Sequence, residues 1–281
     1  MAKRVESPSS INTFKQCKRK YYYSYIEKLP RSKSIHTVRG NIAHSALEDF
    51  YDVDVSVFEK ERYHQQFKVA LQKLLLKQWG AYKEELDSLH LDKEKLQFYF
   101  EETLFMLLNW CKYFLEEFDS KLPSNNDSLV ETFKVVTPTR EKEYRSESHS
   151  VRGFVDAIRF VDDEVHIIDY KTNSKSEVKD SIKLQLAIYC MLYEEEHGVL
   201  PNKVGVFFLR DRLKMLDVDV AMVERAKREI KAIHAQTSST EKEEDYTKTI
   251  TGLCKWRTGQ CDFYDTCKPH SKGYNRRFSS Y

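Results

Sequence analysis

The apolar positions of this chain change their period near the middle. Ile11, Phe14, Cys17, Tyr21 and Tyr25 fall roughly on one helical face, with Ser9 as a plausible N-cap and Pro30 past the end, so a helix is expected over 9–28. A second helix is expected from near Gly40 through "NIAHSALEDFY". From Tyr63 to Phe118 the Leu-rich pattern is helical, with a break near Leu86–Leu91. "PSNNDS" at 123–128 has loop composition. Beyond it the segments shorten, and "LVETFKVV", "REKEYRSES", "VRGFVDAIRF" and "VHIIDY" are expected as strands. A helix follows from about Ser176 to His197, ended by Gly198. "KVGVFFL" and "LKMLDVDV" give two more strands, and a last helix spans roughly Ala221 to Ala235. A helical half before a mixed β core with a flanking helix predicts an α/β fold.

Composition narrows the class. At 281 residues, 32% charged and 41% hydrophobic, the chain reads as a soluble globular protein of one large or two small domains. No apolar run approaches ~18 residues, so no membrane span is expected. "MAKRVESPSSINTF" has no apolar signal core, so an intracellular location is expected. The net charge of +2 argues neither for nor against nucleic acid. Its distribution says more: "FKQCKRKYYYSYIEKLPRSK" and "KPHSKGYNRRFSSY" interleave basic residues with aromatics. Such stretches either meet phosphates and bases or are solvated ends with the tyrosines packed inward. Of six cysteines, Cys254, Cys261 and Cys267 crowd into the C-terminal tail, which points to a metal or cluster. Cys111 and Cys190 sit in apolar helices and read as core residues.

"VHIIDYKTN" places Asp169 and Lys171 two apart at a strand end, on one face. The spacing alone is weak, since it recurs at Asp119–Lys121 and Glu177–Lys179. A hairpin centred between Asp162 and Asp163 would put Asp156 opposite Asp169, with paired Cβ atoms about 5 Å apart. Two carboxylates that close repel unless a cation lies between them. Hard oxygen ligands suit Mg2+ or Mn2+, and with a lysine they make a site for phosphodiester hydrolysis. The alternative is an exposed hairpin carrying ordinary charges. Gly153 would let a backbone or ligand approach closely. His44 shares a helical face with Gly40 and Glu48 and is either a metal ligand or a structural histidine. Gln185 and Tyr189, four apart on an apolar helix, either join the site or face solvent.

In order, "SPSSINTFKQCKRKYYYSYI", "GNIAHSALEDFY", "GFVDAIRF", "IIDYKTN" and "LQLAIYCMLY" resemble the P-D-(D/E)-x-K nuclease superfamily, in its RecB-like exonuclease branch. The resemblance covers both ends and the β core and is weak over about 53–126. It implies a mixed central β-sheet of the restriction-endonuclease-like type flanked by helices, with a helical N-terminal insert and a Cys-rich C-terminal tail. The expected layout is one nuclease domain over 1–281: N-terminal helices with one cluster cysteine (1–52), insert (53–126), nuclease core (127–238) and cluster-binding tail (239–281). By the resemblance, His44, Asp156, Asp169 and the Tyr170 carbonyl are metal ligands and Lys171 is the catalytic lysine. Gln185 and Tyr189 match a Gln-x-x-x-Tyr motif that supports the site and contacts the DNA strand. Glu131, on the expected strand before the hairpin, is the candidate extra acid.

Some members of that family carry a 4Fe–4S cluster on one N-terminal and three C-terminal cysteines. Here Cys17, Cys254, Cys261 and Cys267 correspond. Six residues separate Cys254 from Cys261, where relatives often have two, and Zn2+ on four thiolates is the alternative. The implied activity is metal-dependent exonucleolytic hydrolysis of DNA from single-stranded ends, in repair, recombination or replication. A helicase or recombination protein is an implied partner, and the insert would form one wall of a DNA passage. Two competing readings are a DNA-binding or assembly subunit with little catalysis and a structure-dependent endonuclease.

Overall fold

The computed structural model describes residues 4–257 and 259–269. In chain order the helices are α1 (Pro8–Gln16), α2 (Lys18–Tyr21), α3 (Ile35–Phe50), α4 (Tyr63–Ala81), α5 (Lys83–Asp87), α6 (Lys93–Lys121), α7 (Leu129–Val136), α8 (Asp180–His197), α9 (Val220–Thr237) and α10 (Tyr264–Cys267). The strands are β1 (Thr139–Ser146), β2 (Val151–Val161), β3 (Glu164–Lys171), β4 (Lys203–Phe208), β5 (Leu213–Asp217), β6 (Lys255–Trp256) and β7 (Gly259–Gln260). The chain divides into two compact units. One holds residues 33–146 and 152–227; the other gathers the described residues of 1–32, 147–151 and 228–281.

The larger unit is built on a five-stranded sheet in the order β1-β2-β3-β4-β5. The β2–β3 and β4–β5 pairs are antiparallel and β3–β4 is parallel, so the sheet is mixed. A parallel pair needs a long crossover, and α8 supplies it. Gly198, at φ 73°, ends α8 in the left-handed region. The β2–β3 pairs run from Val161↔Glu164 to Ala157↔Ile168, the register expected from the "VDDE" turn. Val204, Val206 and Phe208 on β4, and Ile167 on β3, are fully buried, as befits the middle of a sheet covered by helices.

Helices α3, α4, α6 and α7 share an aromatic core in this unit. Phe50 lies at its centre, with the rings of Phe67, Trp110, Phe114 and Phe133 at 4.8–6.1 Å. Such ring pairs contribute about 0.5–1.5 kcal/mol each beyond their burial. The core reaches the sheet through Tyr170, whose ring meets Trp110 at 6.5 Å and His44 at 6.1 Å. Packing of Ile42, Ala43, Ala46 and Leu47 fixes the rotation of α3 and so aims His44. Among the described residues no helix is long and apolar enough to cross a membrane.

The smaller unit corrects the first expected helix. Its cap is Ser7, whose side chain accepts from Ser10 N, and not Ser9. The helix breaks at Cys17, which is extended at φ −163° and ψ 113°, and after α2 the chain loosens into a π turn at Tyr22–Ile26. The tyrosine-rich stretch is packed inward here: Tyr21 and Tyr23 are buried, and Tyr21 stacks on Tyr246 at 6.1 Å. Lys18 donates to Gln236 at 2.6 Å, and Arg19 donates to the Tyr246 carbonyl at 2.8 Å. These groups are therefore occupied within the unit. The second basic–aromatic stretch falls almost wholly beyond residue 269, outside the described residues.

Two further expectations change. α3 begins at Ile35, capped by Ser34, and not near Gly40. "LVETFKVV", expected as a strand for its β-branched residues, is α7: Leu129, Thr132, Phe133 and Val136 are its buried face, and Ser128 caps it. Period overrides local propensity there.

Candidate active site

The sheet brings the sequence-selected acids together. One step beyond Ala157↔Ile168, Asp156 stands beside Asp169, and its Oδ2 accepts the Tyr170 backbone N–H at 2.7 Å. Lys171 Nζ lies 2.8 Å from Asp169 Oδ2. From α8, Gln185 Nε2 donates to Asp169 Oδ1 at 2.9 Å and to the Tyr189 hydroxyl at 2.7 Å. α8 sits this close because Gly153 has no side chain: a Cβ there would come within 3.0 Å of Tyr189 Cε1. Gly153 thus makes room for a tyrosine ring of the protein itself.

His44 Nδ1 is 3.5 Å from Asp156 Oδ1. Donor atoms of His44, Asp156 and Glu141 all lie within 4.8 Å of one another. Glu141 was not singled out in the sequence; Glu131 was. The structure puts Glu131 on α7, exposed and paired with Lys134 at 2.9 Å. Glu141 sits on β1 with φ 45°, in the left-handed region. A non-glycine residue there costs roughly 1–3 kcal/mol, a local kink of the kind that re-aims a strand side chain. Nothing in "REKEYRSES" distinguishes Glu141 from Glu143, so no sequence signal marked it.

The electrostatics are those of a crowded anionic site. Asp169 is 2% exposed, and burial pushes its carboxyl up to about 6; Lys171 opposes this and Asp156 adds to it. Burial likewise raises Glu141 to about 7, reinforced by Asp156 and opposed by His44. For His44, burial works against the charged ring. The hydrogen bond and charge of Asp156 outweigh it and raise its pKa. Asp169 Oδ2 is buried, and the Lys171 ammonium meets it at 2.8 Å. A cation among the His44, Glu141 and Asp156 donors would lift the mutual repulsion of the carboxylates. The residues present therefore fit a hard divalent ion.

In the smaller unit one hollow is lined by Cys17, Cys254, Cys261 and Cys267, with Arg19 and Lys248. The extended backbone at Cys17 frees its sulfur from the helix, and Thr249 N–H donates to it at 3.5 Å. Burial raises the Cys267 thiol, lowered in turn by Lys248 and raised by Cys17 and then Cys254. Cys111 and Cys190 are fully buried elsewhere, as core residues.

A protein-family model described as the PD-(D/E)XK nuclease superfamily matches residues 6–268. No curated protein matches the chain. A solved structure described as "Putative exonuclease" from Eubacterium rectale is 12% identical, with a TM-score of 0.50 over 99% of this chain and 91% of that one. At that identity the likeness speaks for the fold. The structure of SSO0001, 14% identical over 91% of this chain and 94% of that one, has a TM-score of 0.29 and adds no argument.

Proposed function

The chain belongs to the PD-(D/E)XK nuclease superfamily, and from that premise we propose that it is a Mg2+- or Mn2+-dependent exonuclease acting on single-stranded DNA ends. Its setting would be repair, recombination or replication, beside a helicase or recombination protein. The observation that carries the reading is the grouping of His44, Glu141 and Asp156, with Asp169 paired to Lys171 on the neighbouring strand.

His44, Glu141, Asp156 and Asp169, with the Tyr170 carbonyl, would hold the ion. When bound, a divalent ion supplies Lewis acidity toward a phosphate oxygen and acidifies water. The Tyr170 N–H holds Asp156. Gln185 engages Asp169 Oδ1 and Lys171 lies against Oδ2, so the two together fix that carboxylate. Lys171, paired with Asp169, would stand beside the attacked phosphate as it gains negative charge. Tyr189, buried against Gly153, accepts from Gln185 and steadies that amide.

Cys17, Cys254, Cys261 and Cys267 would hold a 4Fe–4S cluster, which supplies a clip between residue 17 and the tail. Zn2+ on the same four thiolates is the alternative.

Digestion of single strands labelled at either end, with a circular strand as control, tests the activity. Mg2+- or Mn2+-dependent loss of linear strands with circles intact is expected. Cutting of circles would replace the exonuclease with an endonuclease, and no cutting of either would leave a binding subunit.

A further inference from the structure

Beside the metal-binding residues, the larger unit has a hollow of about 540 Å3 lined in part by His36, Arg39, Thr172, Lys175, Lys179 and Arg210. We propose that this hollow is a phosphate-binding subsite, which holds one phosphate of the substrate strand next to the scissile one. The proposal rests on the nuclease reading and adds to it the group that positions the strand.

Charge is the first argument. Arg39 and Arg210 both pair with Glu102, so one carboxylate serves two guanidiniums. Lys175 and Lys179, both exposed, add two more cations against one acid in the lining, Glu177. The result is a surplus of positive charge in a concave space. The potential is felt at His36, which burial first, then Arg39 and Arg210, make harder to protonate.

The second argument is a built frame. Arg39, 2% exposed, is held by Glu102 and His36, and Arg210 by Glu102 and the Thr172 carbonyl, so both guanidiniums are fixed in the wall of the hollow. The hollow also meets the first turn of α3, whose positive dipole end favours an anion.

The third argument is position. Thr172 in the lining directly follows Lys171, and Arg210 Nε donates to the Thr172 carbonyl at 3.3 Å. Gly40 brings α3 against the same residue, with the place of its Cβ 3.6 Å from Thr172 Oγ1. Through Thr172 the hollow thus adjoins the end of β3 that carries Asp169 and Lys171. The chemistry fits an internal diester and a terminal monoester alike.

The test is binding of short fluorescent single strands in Ca2+, read by anisotropy over a salt series. Strands ending in 5′-phosphate, 5′-hydroxyl and 3′-phosphate are compared on the wild-type chain and on Lys175→Gln/Lys179→Gln. These lysines are exposed, so the fold is spared. We expect about tenfold weaker binding and a salt slope reduced by about 1. Loss on every strand identifies an internal diester, and loss confined to one phosphorylated end identifies a terminal monoester. Unchanged affinity and slope on all strands overturn the subsite and leave Arg39, Glu102 and Arg210 as a structural clamp. Wild-type protein that binds strands through these lysines but cleaves none with Mg2+ or Mn2+ keeps the subsite and removes the nuclease reading.

Discussion

Asp156 accepts the backbone N–H of Tyr170 at 2.7 Å, so the strand carrying Asp169 and Lys171 also orients the carboxylate on the strand beside it. The two acids are held by the sheet as well as by each other. Substitutions should therefore separate chemistry from folding.

Glu141 and Glu131 make the sharpest contrast. Glu141→Gln should lower the rate by about 10–100-fold and raise the Mn2+ concentration needed for half-activity, because it removes one of the converging donors. Glu131→Gln should change neither, since that side chain is exposed on α7. Metal titrations of both variants check this, and equal effects would return the role to Glu131.

Gln185→Ala should act through Asp169. It removes the donor to Asp169 Oδ1 and the partner of the Tyr189 hydroxyl. The expected result is a kcat about tenfold lower with a weaker Mn2+ response. A change confined to KM for DNA would mean that Gln185 serves the strand and not the acid.

The metal-free protein should lose stability as pH rises through the site's titration. Folded Asp169 titrates at about 6 against an ordinary 3.8, and Glu141 at about 7 against 4.5. Between those values the folded state holds protons that the unfolded chain has released, so stability is fullest below about 4 and falls towards about 7. His44, also raised, has the same sign: its share is lost as pH climbs through its folded pKa. The whole effect is on the order of a few kcal/mol. Melting curves from pH 4 to 8 in chelator should show the loss, and Mn2+ at pH 7 should reverse it. A Glu141→Gln protein with the wild-type slope would count against this origin.

Protein purified without oxygen should be brown. Serine at Cys17, Cys254, Cys261 or Cys267 should bleach it, while serine at Cys111 or Cys190 should leave the colour. Loss of the Cys17 link should also lower the melting point, since a crosslink over so long a loop stabilises by about 5 kcal/mol in the chain-entropy model. Stoichiometric zinc without iron would favour the zinc alternative.

Much of the site was legible because strands and helices fix simple spacings. "VDDE" is a tight turn, so the register that sets Asp156 beside Asp169 followed from counting. Gln185 and Tyr189 stood out as polar groups on an apolar helix, and the structure gives them each other and Asp169. What stayed hidden depends on tertiary context. α7 carries β-branched residues that read as a strand, while its buried face follows a helical period. Glu141 reaches the site through a backbone kink that no residue type announces. The break at Cys17 was masked because the apolar period continues across it.

The most direct measurement is the cleavage rate of a linear single strand as Mn2+ is added back to chelated protein, for the wild type, Asp169→Asn and Lys171→Ala. The expected result is no cleavage in chelator, recovery with Mn2+ in the wild type, and rates lower by at least about 10²–10³ in both folded variants. Cleavage that persists in chelator, or near-normal Mn2+-dependent rates in either variant, would contradict the assignment of chemistry to this site.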